Sequence, residues 1–193
     1  MPFVARSDVT GLLLAGGSSG RMGRDKAELE FEGEPLARRV AAVLERVADR
    51  VLVASGDGRR LAWLGLEQIP DAVPGAGPLA GIVAGLQCAR TSLVAVAAVD
   101  MPHASEGVFC LLAERWQGEA AVVPVTDRGR EPLHAVYSVR AAPKLQARLE
   151  SGERSVLRCL AGLRVQEVTS AEWAEADPAG TFARNLNRPE DLP

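Results

Sequence analysis

Lysine is nearly missing from this chain. Of its 22 basic side chains only Lys26 and Lys144 are lysines; the other 20 are arginines. Base composition and chance account for such a bias in general, so the question it leaves is local: what Lys26 does. Aromatic residues make up 4% of the chain, and Trp63, Trp116 and Trp173 lie in helical or loop segments away from any candidate site, so no base-stacking platform is evident. Cys88, Cys110 and Cys159 show no CxxC spacing and no local His partner, which argues against zinc. They read as core residues in a reducing compartment. The net charge of -3 argues against binding nucleic acid by bulk charge. The longest apolar runs, Leu12–Ala15 and Leu93–Val99, fall far short of the roughly 20 residues a membrane helix needs. Met1–Asp8 has no long apolar core, so no secretory signal is expected and the expected location is the cytoplasm.

What is present alternates between two periods. Val9–Ala15, Val51–Ala54, Leu66–Ile69 and Leu93–Val99 read as buried strands, the last as one covered on both faces. Between them, Leu36, Val40, Val43, Leu44 and Val47 repeat at helical spacing behind Pro35, taken as a first-turn proline, and Leu79–Gln87 reads as a helix after Pro78. Further on, Val108–Trp116, Pro143–Leu149 and Val156–Leu160 are helical, and Ala120–Val125, Leu133–Val139 and Val165–Val168 are strands. The alternation predicts an α/β fold with a mostly parallel sheet and helices on both faces. No linker or repeat interrupts residues 1–193, so a single domain is expected.

In such sheets ligands bind beyond the carboxyl ends of the strands. Three strand ends carry unusual residues: Gly16-Gly17, the Asp71–Pro78 loop, and Asp100. The first opens Leu14-Ala15-Gly16-Gly17-Ser18-Ser19-Gly20-Arg21-Met22-Gly23-Arg24-Asp25-Lys26-Ala27. Four glycines in eight positions expose N–H groups that suit an anion, and Arg21 and Lys26 add positive charge for a polyphosphate. A flexible loop with a solvated cationic rim has the same composition. The run lacks the Gly-Lys-Ser/Thr of a P-loop and the G-x-G-x-x-G of a dinucleotide fingerprint. No Ser-His-Asp-like constellation occurs. Asp100 ends the most apolar strand, where a carboxylate needs a partner: a Mg²⁺ ion sharing phosphate oxygens, or the turn before Pro102. Asp71 is either a turn former or a hydrogen-bond acceptor for a ligand.

The glycine-rich run resembles the signature of the nucleotidyltransferase superfamily. Its Gly-Gly pair, Arg-Met-Gly and Asp-Lys-Ala are most similar to the molybdenum cofactor guanylyltransferase (MobA-like) family. Matching segments follow in order: Pro70-Asp71, Gly77-Pro78-Leu79-Ala80-Gly81, Asp100-Met101-Pro102 and Asn185-Leu186-Asn187-Arg188-Pro189-Glu190-Asp191-Leu192. The resemblance implies a Rossmann-like nucleotidyltransferase fold, with a nucleotide-binding half over about 9–102 and an acceptor-binding half over about 103–193. It implies transfer of GMP from GTP to the phosphate of molybdenum-loaded molybdopterin, with pyrophosphate released. It also implies Mg²⁺, with Mn²⁺ as a substitute, on Asp100. Leu14, Ala15, Gly16, Gly17, Lys26, Asp71, Gly77 and Asp100 would bind nucleotide, and Arg21, Lys26 and Asp100 would carry catalysis. Implied protein partners are a molybdenum-insertion protein and apo-molybdoenzymes or their chaperones; neither nucleic acid nor a membrane is implied. One departure is Ala54, where the family often has Asn. A cytidylyltransferase, another NTP:phosphate nucleotidyltransferase and a non-catalytic nucleotide-binding or delivery module are the alternatives. His134 reads as a packing residue near a sheet edge, with contact to the acceptor as the alternative. Arg154-Ser155 resembles the acceptor side, and Asn185 and Asn187 either fix the chain against the site or touch the acceptor.

Overall fold

The strands β1 (Val9–Leu14), β2 (Glu30–Phe31) and β3 (Glu34–Pro35) come first, and the helix α1 (Leu36–Val47) follows. Next are β4 (Arg50–Ala54), β5 (Glu67–Ile69), α2 (Pro78–Cys88) and β6 (Leu93–Ala98). The remainder is α3 (Glu106–Arg115), β7 (Ala121–Thr126), β8 (Gly129–Arg130), β9 (His134–Ser138), α4 (Ala142–Glu150), α5 (Val156–Leu160), β10 (Val165–Val168) and α6 (Ser170–Trp173). The structure, a computed structural model, describes residues 5–16 and 25–186.

Eight of these strands form one sheet in the order β10-β7-β9-β6-β1-β4-β5, with β8 paired to β7. β1 pairs in parallel with β4 and β6, β4 with β5, and β10 with β7. β9 runs antiparallel to both β6 and β7. The sheet is therefore mostly parallel and mixed, with a Rossmann-like α/β topology. Helices cover both faces, which is why β1 and β6 are buried along their whole length and read as continuous apolar runs. On one face α1 and α3 pack with Leu13, Val53 and Val136; on the other α2, α4 and α5 pack with Leu12, Leu52 and Tyr137.

α1 buries Leu36, Ala37, Val40, Ala41, Val43, Leu44 and Val47 and turns Arg38, Arg39 and Arg46 outward. Each of its fully buried Leu and Val side chains contributes about 1.5–3 kcal/mol. α2 lies so close on β1 that a Cβ at Gly85 would stand 2.3 Å from Leu12 Cδ2. Ser105 starts α3 by accepting a hydrogen bond from the Val108 N–H at 3.3 Å.

Several details differ from expectation. Pro35 is the cap residue before α1 rather than part of its first turn. His134 is not near an edge: β9 is paired on both sides, which no periodicity within a strand reveals. Only Cys159 is buried; Cys88 closes α2 and Cys110 lies on the outer side of α3, both exposed. The β2–β3 hairpin turns through Glu32-Gly33, with Glu32 at φ 53°.

Candidate functional site

Strand register builds the site. Leu14 of β1 is level with Ala98 of β6 and Ala54 of β4, and Ala54 is level with Ile69 of β5. Two residues further along each strand stand Gly16, Asp100, Gly56 and Asp71. Four strands of matched register thus deliver two glycines and two aspartates to one edge. The chain runs from β1 outward through β4 and β5 and returns to the other side of β1 with β6, so the edge lies at the switch point of the sheet.

A cleft of about 270 Å³ opens there. Leu14, Ala15, Gly16, Lys26, Asp71, Gly77 and Asp100 all line it, so every candidate nucleotide-binding residue within the described part of the chain is brought together. Gly17, Arg21 and Asn187 lie outside the described residues. Pro78 of the matching Gly77–Gly81 segment also lines the cleft, as do Val99 and Leu133, which nothing in their sequence context singles out. Ala54 contributes only a methyl group.

Lys26 opens a short helical turn that Asp25 caps by accepting the Ala27 N–H at 3.0 Å. Its Nζ donates to Asp100 Oδ2 at 3.2 Å and to the Leu186 carbonyl at 3.1 Å. The Leu186 N–H in turn donates to the Asp100 carbonyl at 2.8 Å. The Asn185-Leu186 segment is therefore fixed against the site through its backbone, while Asn185 Oδ1 is buried without a hydrogen-bond partner among the described residues.

Asp71 stands opposite Gly16. A Cβ on Gly16 would lie 2.8 Å from Asp71 Oδ2, so a side chain there would displace the carboxylate from its present position. Burial pushes the Asp71 carboxyl above its ordinary pKa, and the nearby Arg60 charge pulls it partly back down. Asp71 Oδ1 is buried and unpaired among the described residues, an acceptor awaiting a donor. Gly77, with φ 77°, caps α2 beside it.

Asp100 and Asp71 are hard oxygen donors of the kind Mg²⁺ takes. Among the described residues no group of three or more His, Cys, Asp or Glu is placed to hold a metal by itself. The donor set fits an ion shared between one carboxylate and substrate phosphates, and does not fit a resident metal.

The remaining candidates lie elsewhere. His134 is fully buried, stacked on Phe109 at 3.8 Å between ring centroids, and its Nε2 accepts the Ser105 N–H at 3.0 Å. Burial drives its pKa down to about 3, so it is a neutral packing residue. Arg154 donates to the Leu149 carbonyl at 2.9 Å, and Ser155 caps α5. Neither is among the residues lining the cleft. Arg60 escaped sequence reasoning altogether. It donates through Nε to the Ser55 carbonyl at 2.9 Å, bonds the Ala15 carbonyl and forms an ion pair with Asp25. No motif marked it.

An open, mostly parallel sheet that gathers glycine, lysine and aspartate at its switch point defines a nucleotide-handling α/β protein. The profile of the MobA-like NTP transferase domain matches residues 11–168, and the chain belongs to that family. It is accordingly a nucleotidyltransferase. It is 40% identical over 190 residues to a probable molybdenum cofactor guanylyltransferase of Opitutus terrae, covering 96% of this chain and 93% of that relative. Its identity to a relative of the same name in Methanosarcina mazei is 36%, covering 97% of this chain and 89% of the relative. The crystal structure of molybdopterin-guanine dinucleotide biosynthesis protein A from Archaeoglobus fulgidus matches with a TM-score of 0.80 at 28% identity, covering 95% of this chain and 94% of that one. The 2-C-methyl-D-erythritol 4-phosphate cytidylyltransferase of Thermus thermophilus matches with a TM-score of 0.68 at 21% identity over 94% of each chain, a likeness of fold alone. Among the described residues no helix is long and apolar enough to cross a membrane.

Proposed function

We propose that this protein transfers GMP from GTP to the phosphate of molybdenum-loaded molybdopterin, forming the guanine dinucleotide cofactor and pyrophosphate. The observation that carries the reading is the convergence of Gly16, Lys26, Asp71 and Asp100 on one cleft, in a chain 40% identical to a probable molybdenum cofactor guanylyltransferase. An oxygen of the acceptor phosphate attacks the α-phosphorus of GTP, and the bond to the bridging oxygen of the β-phosphate breaks. The acceptor phosphate is largely ionised near neutral pH, so no side chain has to remove a proton from it. The obstacle is charge repulsion, and the protein's task is to neutralise it.

Lys26 places its ammonium at the cleft wall, held by Asp100 and the Leu186 carbonyl. In this reading it meets the triphosphate, together with the N–H groups of Gly16 and Gly17 and the guanidinium of Arg21. Asp100 would hold Mg²⁺, or Mn²⁺ in its place, which when bound withdraws charge from the phosphate oxygens. The unpaired carboxylate of Asp71 accepts from guanine N1–H and the exocyclic amine, while Leu14, Ala15 and Gly77 approach the nucleoside. Residues 9–102 form the nucleotide-binding half and 103–193 the acceptor-binding half. A molybdenum-insertion protein would supply the acceptor, and apo-molybdoenzymes or their chaperones would take the product, all in the cytoplasm. The test is pyrophosphate release with loaded molybdopterin and GTP, CTP, ATP or UTP in turn. Turnover with GTP and no partner protein supports the reading; a preference for CTP, or no turnover, overturns it.

A further inference from the structure

Asp71 and Lys26 both line the cleft, from loops that have no strand in common. One charged side chain joins those loops, and it does not itself line the cleft. β4 runs out into Ser55-Gly56-Asp57-Gly58, and this turn is braced on the Asp71 loop. The Asp71 N–H donates to the Gly56 carbonyl at 3.1 Å, and Asp57 bridges to Pro70. Asp57 Oδ1 accepts the N–H groups of Arg59 and Arg60 at 2.9 and 3.0 Å, and these bonds hold its carboxyl below its ordinary pKa. That carboxylate turn sets the direction of Arg60, whose side chain is about a quarter exposed, at 26%.

The guanidinium is then satisfied from three sides. Nε donates to the carbonyl of Ser55, the residue after β4, and the terminal nitrogens bond the carbonyl of Ala15 and pair with Asp25. Ala15 precedes Gly16, the residue against which Asp71 packs, and Asp25 precedes and caps the turn that carries Lys26. A planar fork holds its three acceptors in fixed directions from separate nitrogens, whereas an ammonium offers its three donors from a single point on a flexible stem.

We propose that Arg60 is a positioning residue for nucleotide binding, locking the Ala15–Gly16 backbone and the Asp25–Lys26 turn to the end of β4. It acts through these groups and touches neither substrate. The proposal rests on the guanylyltransferase reading for the identity of the nucleotide, but not for its logic, because any nucleotide seated between Asp71 and Lys26 requires the same brace. Its effect falls on the nucleotide side: none of the groups it holds belongs to residues 103–193.

The test measures KM for GTP, KM for loaded molybdopterin, kcat, and calorimetric GTP binding for the unaltered protein, Arg60→Met and Arg60→Lys. Binding of GTP, CTP, ATP and UTP to the unaltered protein is measured first. A preference for another nucleotide overturns the guanylyl reading alone, and the variants are then measured with the preferred one. Arg60→Met is expected to raise KM and Kd for the nucleotide about tenfold or more, by loss of bonds to a charged group, and to lower kcat as the Lys26 turn is displaced, with the molybdopterin KM changed less than about twofold. Arg60→Lys keeps the charge but not the fork and is expected to fall between. A nucleotide KM within about twofold of the unaltered protein in Arg60→Met overturns the proposal, as does an equal rise in both KM values, the mark of a generally loosened fold. If Arg60→Met does not fold, the lysine variant decides: nucleotide affinity equal to the unaltered protein refutes the brace.

Discussion

Replacing Gly16 by alanine adds one methyl group at the most crowded point of the cleft. Its Cβ would lie 2.8 Å from Asp71 Oδ2, 3.2 Å from Oδ1 and 3.3 Å from Cγ. Ordinary carbon–oxygen contacts are about 3.3–3.6 Å, so Oδ2 must retreat by roughly 0.5–0.8 Å. The backbone does not relieve the clash. The Asp71 N–H is bonded to Gly56, and Gly16 has no positive φ, so alanine is tolerated there without conformational strain. The carboxylate must therefore rotate away from the space the base occupies in the proposed function. A hydrogen bond to a charged group contributes about 1.5–3 kcal/mol, so GTP affinity should fall roughly 10- to 150-fold. Calorimetry measures that loss, and a thermal melt of the free protein, expected to shift by no more than about 2 °C, shows that the fold is intact. Unchanged GTP affinity in a folded Gly16→Ala protein would refute the placement of the base against Asp71.

Asp100→Asn and Lys26→Ala should each lower turnover by about 10²–10³-fold, since each removes a charge aimed at the triphosphate; near-normal turnover of Asp100→Asn removes that residue from any metal role. Lys26→Arg should also be slow, because a planar guanidinium does not fit between Asp100 and the Leu186 carbonyl as an ammonium does. Gly85→Ala drives a methyl group into Leu12 and should cost about 1–3 kcal/mol in urea unfolding, despite a gain of about 1 kcal/mol in helix propensity. His134 stays neutral in the folded protein down to about pH 3, whereas the unfolded chain binds its proton near 6.5. Unfolding therefore takes up a proton between those values: stability is full above pH 6.5 and falls on acidification by up to about 1.4 kcal/mol per pH unit. Urea melts at pH 7 and 5 should show the decline, and His134→Gln should remove it.

β1 and β6 were legible because burial on both faces leaves an uninterrupted apolar run, and their ends were legible because Gly16 and Asp100 break it abruptly. Asp71 and Gly77 were legible through the Pro- and Gly-rich loop after β5. What sequence could not show is whatever depends on partners distant in the chain. The two-sided pairing of β9 is one example. Another is the hold of the Leu186 carbonyl on Lys26, across 160 positions. Arg60 is the clearest case: its acceptors are mainly backbone carbonyls, which carry no side-chain signature, and one belongs to a residue 45 positions away. The exposed faces of Cys88 and Cys110 were missed for a related reason, since a small apolar residue at a helix rim fits either environment.

The pinning of Lys26 between a carboxylate and a carbonyl also makes it a chemical reporter. The chain carries two ε-amines, and the other, Lys144, is exposed on α4. An acylating reagent in limiting amount meets one amine free in solvent and one engaged at the cleft wall. Lys144 then serves as an internal standard, and the ratio of the two adducts in a single digest tracks how often the cleft is filled. No label, tag or substitution has to be introduced, because a composition that uses arginine almost everywhere leaves so few amines to distinguish.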